Sequence, residues 1–191
     1  EMGMSRPYCV GAITPGVQVK IVDEEGGELG PEEIGEIIIA GPNVMKGYWR
    51  NPEQTAEVLR DGWFYTGDLG KIDAEGYLYV MGRKKDMIIV GGHNVYAAEV
   101  ESVLLRHPAV AEVAVIGVAD PVRGEAVKAV VVPHEGQQVT AVELSELARK
   151  HLASYKVPKV YEFRESLPVS RTGKINKQQL REEPLYEEWV T

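Results

Sequence analysis

The hydrophobic pattern of the chain changes near Arg83, and this change limits the folds that the chain can adopt. Before Arg83 the apolar residues occur in short alternating runs over residues 17–22 and 36–40, each followed by turn residues. Two further runs, residues 63–73 and 77–82, flank an acidic glycine turn. Such alternation predicts β-strands with one buried face. Several short strands separated by turns favour a small barrel or a curled sheet.

After Arg83 strands alternate with helices. The pattern predicts strands over residues 87–90, 110–118, 126–132 and 159–163, and helices over residues 97–106 and 140–153. The resulting order β-α-β-β-α-β is that of a ferredoxin-like domain. We therefore predict an α+β chain, with a small β-rich, barrel-like subdomain followed by a ferredoxin-like βαββαβ domain.

Two helix starts carry local capping signals. Asn51 is a good N-cap residue, and Pro52 suits the first helical position, so a short helix is predicted after Asn51. Thr140 and Glu143 have the spacing of a capping box at the start of the helix predicted near residue 140.

The predicted domain boundary lies in a charged segment that follows Gly82. We assign residues 1–82 to the β-rich subdomain, residues 83–86 to a hinge and residues 87–191 to the second domain. Residues at the ends of elements often absorb the backbone rotation of a hinge. An ordinary exposed basic turn is the alternative interpretation of the same residues.

Composition excludes several classes of protein. The 191 residues are 44% hydrophobic and 26% charged, which is a normal globular mixture. The net charge of −8 disfavours a general nucleic-acid binder. The single cysteine, Cys9, cannot form an internal disulfide, and no apolar run is long enough to span a bilayer. We therefore expect a cytoplasmic protein. The four histidines show no metal-ligand spacing, so no metal site is predicted.

Three segments place a charged side chain close to a glycine, where the backbone can turn tightly beside a ligand. They are residues 65–68, 82–86 and 170–174. Together they offer the carboxylate of Asp68, the guanidinium of Arg83 and the ammonium of Lys174. A carboxylate can accept hydrogen bonds from two ribose hydroxyls, and the two cations suit phosphate. Taken alone, a loop aspartate is more often a turn residue, and an exposed lysine is more often only solvated.

The order and the residues of these segments resemble the motifs of the adenylate-forming superfamily. This superfamily includes acyl-CoA synthetases, peptide-synthetase adenylation domains and firefly luciferase. The resemblance runs from about Gly11 to Arg181. It implies that Asp68 binds the ribose hydroxyls of AMP and that Arg83 contacts the nucleotide. It also implies that Lys174, in the late signature over residues 167–175, is both catalytic and nucleotide-binding.

The same resemblance assigns the second domain as a mobile lid. Lys85 matches the position at which the lid pivots. Gly91 and Gly92 match a glycine loop that lines the pantetheine tunnel for CoA, and the absence of side chains there leaves room for a narrow thiol arm.

The resemblance further implies an ATP-dependent, AMP-forming acyl-CoA ligase with ATP, CoA and Mg as cofactors. The wording around Asp68 and Gly92 is most like long- or medium-chain fatty acid ligases, with aryl (coumarate or benzoate) ligases as the alternative. The phosphate loop, the acyl pocket and the magnesium ligands of the family are not visible, although Glu1 is a candidate for the end of the magnesium motif. We therefore expect a C-terminal fragment whose partner is the N-terminal domain of the same polypeptide. A free-standing, non-catalytic binding module is the competing hypothesis.

Overall fold

A computed structural model describes residues 8–183 and the backbone of the short strand Glu188–Trp189. Glu1, the candidate magnesium ligand, lies outside these residues. Contacts divide the chain into two compact units, the first ending at Lys85 and the second beginning at Asp86. Each unit contains one sheet, and the predicted α+β class is confirmed. Among the described residues, no helix is both long enough and apolar enough to cross a membrane.

The described part of the first unit, from residue 8 onward, is built from strands with a single short α-helix. Its elements are β1 (Cys9–Ala12), β2 (Gln18–Val22), β3 (Gly35–Ala40), α1 (Pro52–Val58), β4 (Leu59–Arg60), β5 (Trp63–Ile72) and β6 (Tyr77–Arg83). The strands form one antiparallel sheet in the order β1-β6-β5-β3-β2, and β4 pairs with β5. Its edges are β1 and β2, so the described strands form an open sheet. As predicted, the Asn51 side chain caps α1 by accepting a hydrogen bond from the Gln54 amide at 3.0 Å.

The described residues of the second unit combine a six-stranded sheet with three α-helices. Its elements are β7 (Met87–Val90), β8 (His93–Tyr96), α2 (Ala97–Leu104), β9 (Val110–Asp120), β10 (Gly124–Pro133), α3 (Ala141–His151), β11 (Val160–Phe163), α4 (Lys177–Glu182) and β12 (Glu188–Trp189). β10 pairs antiparallel with β9 and parallel with β11, and α3 makes the crossover between the two parallel strands. The β7–β8 hairpin joins the sheet through the pairing of Val90 with Gly124.

The two faces of the β9–β10–β11 sheet have different cores, because successive residues of a strand point to opposite faces. We call one the helical face, where the hairpin, α2 and α3 pack on the sheet through Ile88, Val100, Leu104, Val115 and Leu144. We call the other the C-terminal face, where residues 165–183 cover the sheet. Its core includes Ile116, Val130, Leu167 and Leu180.

The predicted elements of the second unit are all present, with ends that differ by a few residues. The capping box is confirmed, since the Thr140 hydroxyl accepts from the Glu143 amide and the Glu143 carboxylate accepts from the Thr140 amide. The sequence did not predict β8 or α4. β8 begins with two exposed polar residues, and α4 buries only Leu180, so neither shows a clear hydrophobic period.

Candidate active site

Asp68 and Arg83 face each other on neighbouring strands of the first unit. The register of β5 and β6 places them directly opposite, and Arg83 Nε lies 3.0 Å from Asp68 Oδ1. Their side chains are 33% and 53% exposed, so the pair is open to solvent and contributes little to stability. An accessible carboxylate beside an accessible guanidinium is instead suited to binding a polar ligand.

Residues 66–68 form an irregular segment within strand β5, which we call the Asp68 turn, and three hydrogen bonds hold it. The Thr66 hydroxyl donates to the Ile37 carbonyl at 2.7 Å and accepts from the Asp68 amide at 3.0 Å. The Gly67 amide donates to Glu36 Oε1 at 3.1 Å. Gly67 has φ of +71°, a left-handed conformation that glycine adopts without the strain of a side chain. Asp68 therefore stands on a fixed turn attached to β3.

An open depression of about 330 Å³ lies beside this turn in the first unit and is lined by Gly67, Arg83, Lys84 and Lys85. Three cationic side chains thus border a half-buried glycine at which a Cβ atom would meet nothing within 4 Å. Lys84 and Lys85 belong to a single 3₁₀ turn that ends at Asp86. Such a depression is electrostatically suited to an anionic ligand.

Gly91 and Gly92 form the two-residue loop of the β7–β8 hairpin. Their φ values are +56° and +82°, and positive φ at both central residues is what a type I′ hairpin turn requires. A Cβ atom at either position would meet nothing within 4 Å, so the loop is open to its surroundings. The Gly91 amide donates to the Arg123 carbonyl at 2.9 Å, which fixes the hairpin to the β9–β10 turn.

Aromatic and charged side chains lie next to the first residues of β8, which directly follow the glycine loop. The His93 ring stacks on Tyr155 with centroids 4.6 Å apart. Lys156 Nζ lies 2.7 Å from Glu99 Oε2, which attaches the turn containing Tyr155 to α2. Burial raises the pKa of the nearby Tyr96 hydroxyl, although a hydrogen bond from Asn94 acts in the opposite direction. His93 is therefore held as a stacking residue at the base of the glycine loop.

Lys174 lies on an exposed turn between β11 and α4. The turn is closed by its own backbone: the Ser170 amide donates to the Lys174 carbonyl at 2.7 Å, and the Gly173 amide donates to the Ser170 carbonyl at 2.9 Å. Gly173 has φ of +77°, so the turn needs a residue that tolerates a left-handed conformation. Among the described residues, no side chain forms an ion pair or hydrogen bond with the Lys174 ammonium, which remains available to a ligand.

The structure brings some of the predicted site residues together and separates others. Asp68 and Arg83 are in contact in the first unit, and Lys85 lies at its end. In the second unit, the hairpin of Gly91 and Gly92 packs on the helical face, whereas the segment carrying Lys174 covers the C-terminal face. The elements that carry the glycine loop and the lysine therefore contribute to the cores on opposite faces of one sheet.

Sequence reasoning missed Glu36. Its side chain contacts both the Asp68 turn and Lys84. The sequence does show Glu36 as a single acid in the otherwise apolar strand β3. The residues that Glu36 contacts lie 31 and 48 positions away in the sequence, so no local pattern connects them. For metals, no group of three or more His, Cys, Asp or Glu side chains that could hold an ion occurs within residues 8–183.

The sequence of the chain is similar to that of known AMP-binding enzymes. The family model described as AMP-binding enzyme C-terminal domain matches residues 99–174, and the model described as AMP-binding enzyme matches residues 2–49. A long-chain-fatty-acid–CoA ligase of Bacillus subtilis (strain 168) is 52% identical over 182 residues, which are 95% of this chain and 32% of that protein. A feruloyl-CoA synthase of an Amycolatopsis species is 53% identical over 163 residues, covering 85% of this chain and 33% of that protein.

A solved structure is similar in the same way. The o-succinylbenzoate CoA synthetase of Bacillus subtilis, in complex with its acyl-adenylate intermediate, superposes with a TM-score of 0.88 at 40% identity. That match covers 95% of this chain and 37% of the synthetase. The chain thus spans about a third of the length of the relatives that it matches. With both models matched in order and the fold shared with the synthetase, the chain belongs to the AMP-binding enzyme family and includes that family's C-terminal domain.

Proposed function

We propose that this chain serves an AMP-forming acyl-CoA ligase. In the first half-reaction a carboxylate attacks the α-phosphorus of ATP, forming acyl-AMP and releasing pyrophosphate. In the second, the thiol of CoA attacks the acyl carbon, forming the thioester and releasing AMP. The observation that carries the proposal is the accessible Asp68–Arg83 pair beside a depression bordered by Lys84 and Lys85.

Asp68 and Arg83 are assigned to the nucleotide. The Asp68 carboxylate can accept hydrogen bonds from both ribose hydroxyls, because each of its oxygens has free lone pairs. The Arg83 guanidinium has donors left over beyond the one that faces Asp68, and these suit a ribose or phosphate oxygen. The hydrogen-bonded turn of Thr66 and Gly67 supports this role, since a preorganised carboxylate loses little entropy when the ligand binds.

Lys174 is assigned to the adenylation step. Attack on the α-phosphorus brings two anions together and moves negative charge onto the phosphoryl oxygens and the leaving pyrophosphate. An ammonium that has no ion-pair or hydrogen-bond partner within residues 8–183 can stabilise that charge as it develops. By analogy with other transition-state donors, its removal costs about 2–4 kcal/mol, which corresponds to roughly 30- to 900-fold in rate.

The second half-reaction is assigned to the glycine hairpin. We propose that the second unit acts as a lid that pivots at Lys85 and presents Gly91 and Gly92 to the pantetheine arm of CoA. Support comes from the open space at both glycines and from their opposite placement to Lys174 on the sheet. If the second unit served both half-reactions in one orientation, the Gly91–Gly92 loop and the Lys174 turn would have to lie on the same side of its sheet.

The complete activity is proposed for a longer polypeptide. The relatives are about three times the length of the region they share with this chain, and we propose that an N-terminal domain supplies the ATP phosphate contacts and the acyl pocket. Magnesium does not fit the carboxylates of residues 8–183, which form no candidate cluster.

A fatty acid is the proposed substrate, with an aryl acid as the second candidate. The Bacillus subtilis relative is named for long-chain fatty acids and the Amycolatopsis relative for feruloyl-CoA, at nearly equal identity. The complete enzyme should be assayed against fatty acids of graded chain length and against hydroxycinnamates. A maximum among the fatty acids supports the first assignment, and preference for the hydroxycinnamates would replace it with the second.

The decisive test of the reaction is Lys174→Ala in the complete enzyme. ATP–pyrophosphate exchange driven by the acid should fall roughly 30- to 900-fold. Conversion of preformed acyl-AMP and CoA to the thioester should persist. Lys150→Ala is the matched control, because Lys150 is an exposed lysine of the same unit on α3. Normal adenylation by the Lys174 variant would refute the assignment.

A further inference from the structure

Glu36 occupies an unusual place for an acid. It is the second residue of β3, and its side chain is only 12% exposed. Placing a carboxylate in such a position is costly unless its oxygens are paired. Both are paired: Oε1 accepts the Gly67 amide at 3.1 Å and Oε2 lies 3.1 Å from Lys84 Nζ. The two carboxylate oxygens of Glu36 therefore contact two different segments of the chain.

The first contact acts on the turn that presents Asp68. The Thr66 side chain attaches this turn to the Ile37 carbonyl, and the Glu36 carboxylate attaches the next residue, Gly67. Two neighbouring residues of β3 thus bond two neighbouring residues of β5 at a point where the β3–β5 register is irregular. Because the regular ladder is interrupted there, side-chain contacts have to fix the turn.

The second contact acts on the residue after Arg83. Lys84 is 42% exposed, and its ammonium is held by Glu36 instead of extending freely into solvent. Arg83 in turn faces Asp68. The chain on both sides of the Asp68–Arg83 pair is therefore attached to a single carboxylate.

We propose that Glu36 is a positioning residue for the nucleotide site, which sets the spacing between the Asp68 turn and the Arg83–Lys84 segment. This inference rests on the proposed function. Each Glu36 oxygen already contacts a neighbouring segment and the side chain is only 12% exposed, so it acts through Gly67 and Lys84. Its loss should weaken ATP binding without removing any group that touches ATP.

The test compares Glu36→Ala, Glu36→Gln and Lys84→Met in the complete enzyme. Glu36→Ala should raise the KM for ATP on the order of tenfold, the change expected when charge-assisted hydrogen bonds are lost. Glu36→Gln should raise it about threefold, because the amide oxygen can still accept from Gly67. Lys84→Met keeps the Gly67 contact but also removes a cation that borders the depression, so it should raise the KM for ATP at least as much as the glutamine variant. The KM for the carboxylic acid should stay unchanged in all three.

Two further measurements separate positioning from general stability. Hydrogen exchange of the peptide spanning residues 63–72 should accelerate in Glu36→Ala and remain near normal in Glu36→Gln. Ile21→Val is the matched control, since it trims a buried side chain on β2, a strand that β3 separates from β5 in the sheet. It should leave the KM for ATP unaltered.

The outcomes are distinguishable from failure of the proposed function. If Asp68→Ala raises the KM for ATP but Glu36→Ala does not, the positioning role is overturned and the nucleotide site stands. If Asp68→Ala itself leaves the KM for ATP unchanged, the nucleotide site fails. An equal rise in the KM for ATP and for the acid in Glu36→Ala would also overturn the inference, since it would indicate general loss of structure.

Discussion

On the helical face of the β9–β10–β11 sheet, α2 and α3 pack through mainly apolar side chains, whereas on the C-terminal face the covering segment shares the interior with ions. Lys128 is 1% exposed and Glu162 is 8% exposed, and Lys128 Nζ lies 2.6 Å from Glu162 Oε2. This contact is an ion pair whose angles differ from those of an aligned hydrogen bond. Arg164 bonds the other oxygen of Glu162 and lies 2.5 Å from Glu183, just after α4.

The two kinds of packing, apolar and ionic, affect how the Gly91–Gly92 hairpin and the Lys174 turn are held in place. Apolar packing is non-directional and tolerates small shifts, and it supports the Gly91–Gly92 hairpin on the helical face. Ion pairs require particular geometry and protonation. They fasten α4 at several points: Lys177 to Glu101 at 2.6 Å, Arg181 to Asp86 at 2.8 Å, and the Arg164–Glu183 pair. The Lys174 turn immediately precedes this helix. The position of Lys174 should therefore depend on charge, and that of the hairpin on apolar burial.

The largest expected effect comes from breaking the buried pair. Lys128→Met leaves the Glu162 carboxylate buried with one of its two partners gone, and such a loss costs about 3–5 kcal/mol of the free energy of unfolding. Urea denaturation measures the change. The double variant Lys128→Met/Glu162→Leu removes both charges and should recover much of the loss, because apolar replacement of a buried pair is often neutral. Additive losses in the double variant would show that packing, and not charge, holds this face.

A comparable truncation tests the helical face. Leu144 of α3 is fully buried, and Leu144→Ala should cost about 2–5 kcal/mol through lost burial and the cavity left behind. Hydrogen exchange should rise in the β7–β8 hairpin more than in α4, since Leu144 belongs to the helical core. Equal acceleration of the two regions would mean that the faces are not separately held, and the comparison would fail.

The parts of the fold that the sequence predicted are those whose signals are local. The Thr140–Glu143 capping box and the Asn51 cap act within three residues, and both were found. α4 was missed because its stability comes from partners far along the chain, such as Asp86 for Arg181 at a separation of 95 residues. No local pattern encodes such a contact.

In the candidate site, too, the local motifs could be predicted from the sequence and the long-range contacts could not. Asp68, Arg83 and Lys174 could be nominated from glycine-flanked motifs and a family resemblance, and their roles remain predictions. The opposition of Asp68 and Arg83 follows from hairpin register, which depends on a bulge near Leu69 and Gly70 that the sequence does not reveal. The burial of Lys128 was equally hidden, because the run around it predicts only a buried strand.

The smallest expected effect is a response to pH that is confined to the C-terminal face. Burial alone would raise the pKa of Glu162, but contacts with Arg164 and Lys128 more than offset it, so the pKa lies below its ordinary value of 4.5. The Arg164 hydrogen bond, aided by Gln179, lowers the pKa of Glu183 as well. A carboxyl whose folded pKa is lowered contributes stability above its unfolded value, and this contribution is lost as the pH falls through the folded pKa.

Acidification below about pH 4.5 should therefore loosen α4 and the segment before it ahead of the helical core. The measurement is hydrogen exchange at Leu180 compared with Ala148, a buried residue inside α3. Ala148 is chosen because the Thr140 hydrogen bonds also lower the pKa of Glu143, so the first turn of α3 has its own acid response. The variant Lys128→Met/Glu162→Leu should flatten the Leu180 profile. Parallel acid profiles at Leu180 and Ala148 would show that protonation acts on the unit as a whole, and charge would then not distinguish the two faces.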